Sequence, residues 1–166
     1  MFSDTIRQAL NEQISVEFNA AYSYLGMATW CERQAFSGAA KWLRMQYEEE
    51  IGHGMKLYNF LLARDCEVEL GQIDKPTIRF DSLLHVFATA LEQEVAVSER
   101  LERLYQQAFE ERAYTTLVEL QWFLAEQVEE EKTIREIVKK LQLVKDDPSA
   151  LLEIDRMLGE RPNVAL

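Results

Sequence analysis

Four stretches of the sequence carry apolar residues at helical spacing, and each apolar stripe is interrupted midway by a side chain that a dry core rejects. In the first, Leu10, Ile14, Ala21, Tyr24 and Ala28 share a face with Glu17. The second runs Leu43, Glu50, His53, Leu57 and Phe60, and the third Phe87, Leu91, Glu94, Val97 and Leu101. The fourth runs Leu120, Phe123, Gln127, Glu130, Ile134 and Ile137. A carboxylate taken into a bundle without a partner costs several kcal/mol, and four together repel one another. Such a bundle forms only if protons or cations neutralise its middle, and divalent metal is the simplest solution.

The rest of the composition agrees with helices around one core. The chain has 166 residues, a length that suits one domain spanning 1–166, and its 3 Pro and 6 Gly leave little material for the turns of a β fold. A net charge of -11 argues against binding to nucleic acid or to an anionic membrane, and favours cations. Cys31 and Cys66 form no CxxC pair, so they read as buried or incidental thiols of a reducing compartment and not as zinc or rubredoxin-type iron ligands. Neither a signal sequence nor an apolar run long enough to span a bilayer is evident, so a cytoplasmic chain is expected.

Cap and breaker residues divide the chain. Ser3 and Asp4 precede a periodic segment that runs to about Arg33, roughly 45 Å of helix at 1.5 Å per residue. Ser37 and Gly38 mark a turn into a second helix ending near Asp65, antiparallel to the first. The helical period vanishes over 66–80, where Gly71, Asp74 and Pro76 suggest a crossover along the bundle. Asp81 or Ser82 then caps a third helix to about Glu110, and a turn at 112–114 leads to a fourth ending near Leu143. The expected fold is an all-α, antiparallel four-helix bundle over about 4–143. Asp147 and Pro148 open a short fifth helix, about 148–158, expected as an appendage.

The two hairpins repeat one another. Glu17 precedes Glu50 by 33 residues, and Glu94 precedes Gln127 by the same interval, so Glu50-x-x-His53 corresponds to Gln127-x-x-Glu130. Di-iron carboxylate bundles take one Glu from each of two helices and a Glu-x-x-His pair from each of the others. Five ligands of that set remain here. Two ions could share Glu50, with Glu17 and His53 on one and Glu94 and Glu130 on the other, the second held more loosely. Oxygen donors with a single nitrogen suit Fe(II), Mn(II) or weakly bound Zn(II) better than Cu(I). Glu49, Glu126 and Glu129 adjoin these positions and are either a solvated face or a further cation site. Tyr24 and Trp122 are either core aromatics or neighbours of the metals, and His85 reads as an ordinary hydrogen-bonded residue.

These residues resemble a known family. Leu10-Asn11-Glu12-Gln13 leading to Glu17, Tyr47-Glu48-Glu49-Glu50-Ile51-Gly52-His53, Leu91-Glu92-Gln93-Glu94 and the Leu120 to Lys132 segment are similar, in order and spacing, to those of non-haem bacterial ferritins over nearly the whole chain. The resemblance implies a first ferroxidase iron site at Glu17, Glu50 and His53. It implies a second at Glu94, Glu50 and Glu130 with Gln127 close by, and a third from Glu49, Glu126, Glu129 and Glu130. It places Tyr24 and Trp122 beside the centre and makes the chain one subunit of a hollow 24-subunit homo-oligomer, with the segment after Pro148 as its fifth helix. Ile51 stands where bacterioferritins have a haem-ligating Met, so no haem is expected. Rubrerythrins and the DNA-binding mini-ferritins fit the pattern poorly.

The function expected from this resemblance is iron storage with ferroxidase activity. Fe(II) would be oxidised by dioxygen or peroxide at the paired site and kept as Fe(III) oxyhydroxide. A di-iron or di-manganese oxidase or peroxide scavenger that stores no mineral would use the same ligands. A helical interaction module with an incidental polar core would show no metal-linked stabilisation.

Overall fold

The computed structural model describes residues 3–162. Among these, five helices occur and no strand: α1 (Asp4–Arg33), α2 (Ser37–Ala63), α3 (Leu83–Glu110), α4 (Tyr114–Val144) and α5 (Pro148–Gly159). The all-α bundle expected from the stripes is the observed architecture. α1 packs on α2 and α3 on α4, and α1 also meets α3. Most stripe residues are buried, but Phe60 and Leu91 are only half-buried at the edges.

Three helix starts follow the expected cap chemistry. The Ser3 Oγ accepts from the Ile6 N–H, the Ser82 Oγ from that of His85, and the Asp147 Oδ1 from that of Ala150. Asp81 is therefore not the cap of α3. Its own N–H donates to His85 Nδ1, which leaves that histidine at the end of the helix and away from the bundle's middle.

The turn before α2 departs from expectation. It falls at 34–36, where Ala35 has φ 64°, and Ser37 and Gly38 are already helical. Gly38 is there for close approach, because a Cβ would lie 1.8 Å from the carbonyl oxygen of Asp155. The gap admits α5, whose buried Asp155 accepts from the N–H groups of Gly38 at 3.2 Å and Ala39 at 2.8 Å. Asp155 thus caps α2 across 116 residues of sequence, since α2 has no capping side chain of its own. α5 is anchored rather than loosely appended, with Ile154 and Leu158 buried in the core and Leu152 exposed.

The crossover over 66–80 runs along α1. Asn11 takes the Glu69 N–H and donates to Glu67 O, Ser15 Oγ takes the Gly71 N–H, and Asn19 takes the Asp74 N–H. Further on, a Cβ at Gly26 would sit 2.6 Å from Thr77 O. Small polar residues spaced by four on one side of α1 therefore satisfy the backbone of a segment that has no secondary structure of its own.

Two apolar cores result. One joins Tyr24 to Cys31 with the start of α2, the start of α3, the end of α4 and α5. The other joins Ile6, Leu10 and Ile14 with Leu57, Leu61, Leu101 and Leu120 at the opposite end. Glu17, Glu50, His53, Glu94, Gln127 and Glu130 fill the waist between them.

Candidate metal centre

All six waist residues are buried, and Glu17 and Glu94 have no exposed surface. On the α1–α2 side, Glu17, Glu50 and His53 each offer one ligand atom within 4.8 Å of the others, the only such group among the described residues. His53 Nδ1 lies 3.3 Å from Glu50 Oε2, and Gln13 Nε2 donates to Glu17 Oε1 at 2.8 Å. The Glu17 and Glu50 carboxyls interact with one another, and Glu17 Oε2 and Glu50 Oε1 are buried with no donor from any other residue. A buried acceptor left unmet costs about 1–3 kcal/mol, so two beside one another call for an occupant.

The α3–α4 side differs. Tyr24 donates to Glu94 Oε1 at 2.5 Å, and Gln127 Nε2 donates to Glu94 Oε2 at 3.0 Å. Gln127 is itself held by the Glu94 carbonyl at 3.2 Å, and Gln46 Nε2 donates to Glu130 Oε2 at 2.9 Å. Both Glu94 oxygens and Glu130 Oε2 therefore already have protein partners. Ser98, which donates to Glu131 at 2.6 Å, completes the shell around Gln127 at 3.4 Å.

Burial dominates the electrostatics. It pushes the Glu17 carboxyl up to about 7 against the opposing Gln13 hydrogen bond. It raises Glu130 to about 8, helped by the charges of Glu94 and Glu49, while Gln46 and Arg161 pull the other way. Burial, and then Glu94 and Glu17, hold Glu50 well above the carboxylate range. Glu94 is raised by burial although Tyr24 and Gln127 oppose it, and burial lowers His53 to about 4. At neutral pH the metal-free waist therefore holds Glu130 mostly protonated, Glu17 about half protonated and His53 as a neutral imidazole. A divalent cation stabilises it by taking the place of those protons.

Trp122 lies beside the site with its ring 5.3 Å from that of His53, in edge-on contact, and Lys56 Nζ sits 4.9 Å above it. Tyr24 is fully buried, and burial together with the Glu94 carboxyl holds its phenol well above its ordinary range. It is both a core aromatic and a neighbour of the waist.

The outer acidic positions are less gathered. Glu49 is engaged by the Arg161 guanidinium at 2.8 and 2.9 Å. Glu129 is exposed and pairs with Lys132 at 3.4 Å, and Glu126 is half-buried, its carboxyl raised by burial and then by Glu49 and Glu129. Sequence reasoning passed over Gln13, Gln46 and Arg161. The glutamines carried a signal, since each stands four residues before a waist glutamate and positions 13 and 46 keep the 33-residue interval. Arg161 carried none.

A helical bundle with a fifth helix and a buried acidic waist defines a class of fold, and comparison with known proteins narrows it. The ferritin-like domain family matches residues 7–144, and the chain belongs to that family. It is similar to a bacterial non-heme ferritin of Staphylococcus aureus strain USA300, 36% identical over 161 residues and 97% of both chains. A probable bacterial non-heme ferritin-like protein of Haemophilus influenzae is 35% identical over 96% of each chain. Among solved structures, an open pore ferritin from the hyperthermophilic archaeon Archaeoglobus fulgidus superimposes with a TM-score of 0.96. It is 38% identical and covers 98% of this chain and 100% of its own. No helix among the described residues is long and apolar enough to cross a membrane.

Proposed function

We propose that the chain is the subunit of an iron-storage ferritin with ferroxidase activity, working in the cytoplasm as a 24-subunit shell. The observation that carries this reading is the pair of carboxyl oxygens with no donor from any other residue, Glu17 Oε2 and Glu50 Oε1, facing a buried site that also holds His53. Kinship with bacterial non-heme ferritins and an archaeal open pore ferritin supports it.

In this reading Fe(II) is the substrate. Glu17 and His53 hold one ion, Glu50 bridges, and Glu94 and Glu130 hold the second with Gln127 close by. Each ion gives up one electron. A pair therefore reduces dioxygen and two protons to hydrogen peroxide, or hydrogen peroxide and two protons to water. Carboxylate oxygens bind Fe(III) more strongly than Fe(II) because the higher charge strengthens the bond to a hard donor, which favours oxidation. The protons held by Glu17, Glu50 and Glu130 leave as iron arrives. Tyr24 orients Glu94 and is placed to pass an electron or a hydrogen bond. Glu49, Glu126, Glu129 and Glu130 form the third ion position, and Fe(III) moves on to an oxyhydroxide core.

The test is iron per particle. Excess Fe(II) is added in air and the product is sized with simultaneous iron and protein detection. Iron far above about three ions per chain, travelling with a large assembly, is the expected result. About two per chain on a small oligomer would make the protein a non-storing di-iron enzyme instead.

A further inference from the structure

The stretch after α5 returns to the waist. Arg161 lies beyond the last residue of α5, yet its Nη1 donates to Gln46 Oε1 and its Nη2 to both carboxylate oxygens of Glu49. The guanidinium also sits 5.0 Å over the Trp42 ring. The two side chains of the ion pair are about four-fifths buried, at 23% and 19% exposure, so the pair is poorly screened compared with the other salt bridges of this surface. The backbone beside it is fixed separately, because Lys41 Nζ donates to the carbonyls of Gly159 at 2.8 Å and of Arg161 at 3.2 Å.

Gln46 links this arm to the centre. Its amide oxygen is taken by Arg161, which leaves the amide nitrogen facing Glu130 at 2.9 Å. One guanidinium therefore neutralises Glu49 and fixes which end of Gln46 meets Glu130. A planar fork with several donors can do both at once, whereas a single ammonium cannot. The third position assigned to Glu49, Glu126, Glu129 and Glu130 is thus already served by a cation that belongs to the chain.

We propose that Arg161 is a tethered counter-cation for the outer acidic cluster. A hard divalent ion binds among Glu49, Glu126 and Glu130 only when Arg161 withdraws, so the arm after α5 sets how many ions a subunit holds. This rests on the ferritin reading and adds a competitor to it. Arg161 is a positioning residue, touching neither member of the iron pair.

Anaerobic equilibrium titration of the assembled protein with Fe(II) tests the idea. Arg161→Gln removes the charge but keeps an amide donor near Gln46, and should tighten the third ion about tenfold while leaving the ion at Glu17, Glu50 and His53 unchanged. Arg161→Lys keeps the charge and should leave the third ion as weak as in the parent. A further Glu49→Gln substitution on Arg161→Gln should abolish the gain. Should Arg161→Gln fail to assemble, Arg161→Ala serves, since the Lys41 and Asp155 contacts still dock the arm. Equal third-ion affinity in the parent and the uncharged variant would overturn the proposal, as would tightening in Arg161→Lys equal to that in Arg161→Gln. Loss of the first two ions from the parent would instead strike the paired-site reading. The third phase would still report on Arg161, which lies outside the pair.

Discussion

The α1–α2 and α3–α4 hairpins put matching positions at the waist and finish them differently. Glu17 and Glu50 meet His53 and keep two carboxyl oxygens with no donor from any other residue, whereas Glu94 and Glu130 are served by Tyr24, Gln127 and Gln46. On the proposed reading, a metal ion arriving at the first half would fill vacant coordination. At the second it would have to displace hydrogen bonds already made. Kinship of sequence across the halves therefore does not make them equal, because an amide at position 127 stands where the first half has Glu50 and a carboxyl at position 130 stands where it has His53.

The largest effect should come from the residue that both halves share. Glu50→Ala is expected to slow rapid paired Fe(II) oxidation at least about a hundredfold, since even outer-shell changes cost 10–100-fold, while the shell still assembles. Stopped-flow traces with unchanged initial rates would remove Glu50 from the bridging role. His53→Ala comes next and acts on one half only. It should weaken one ion about 10–100-fold and spare the other, and equal weakening of both in an anaerobic titration would contradict the asymmetry.

Restoring symmetry should have the opposite sign. Gln127→Glu replaces a donated hydrogen bond on Glu94 with a second carboxyl 3.0 Å away. The metal-free protein should lose on the order of 1–3 kcal/mol of stability, and added metal should recover it with a tighter second ion. Melting curves with and without a divalent ion read both effects, and a variant indifferent to metal would show that position 127 does not set the difference.

The pH response separates the groups by direction. Glu17 at about 7 and Glu130 at about 8 are raised above their unfolded values, so their contribution is full below about 4.5. It is lost as pH rises through 7 to 8, and the metal-free protein should therefore melt lower at pH 8.5 than at pH 6. His53, lowered to about 4, contributes above 6.5 and loses that contribution as pH falls towards 4. Divalent ions release the carboxyl protons, so metal affinity should rise with pH and proton release should be measurable in weak buffer. Flat melting behaviour between pH 6 and 8.5 would mean that the waist carboxyls are not protonated. The smallest effect is expected for Tyr24→Phe, which removes one of two donors to Glu94. It should weaken the second ion a few-fold without touching the first, within the roughly 0.5–1.5 kcal/mol of one hydrogen bond.

The waist was legible in the sequence because helical period is a local property. Glu17, Glu50, His53, Glu94, Gln127 and Glu130 each fall on an apolar stripe, and burial confirms each placement. The partners that distinguish the halves were less visible. The spacing of Gln46 ties it to Glu50 on its own helix but does not show that α4 brings Glu130 against it, and Asp155 looks like a surface charge until α5 folds onto the start of α2. The turn before α2 was misplaced because Gly38 suggested a break, when its lack of a side chain serves packing. The true turn uses Ala35 at positive φ, as Asp65, Arg112 and Lys145 are used after α2, α3 and α4, and none of these is a glycine. The crossover was recognised by its lost period, but its track along Asn11, Ser15 and Asn19 depends on which side of α1 stays free.

The most direct test is anomalous diffraction from crystals given a limiting amount, less than one equivalent per subunit, of Fe(II) without oxygen. Density between Glu17, Glu50 and His53, with the Glu94 and Glu130 side filled only as iron increases, is the expected result. Equal filling of the two halves, or density first at Glu94 and Glu130, would contradict the proposed difference between them.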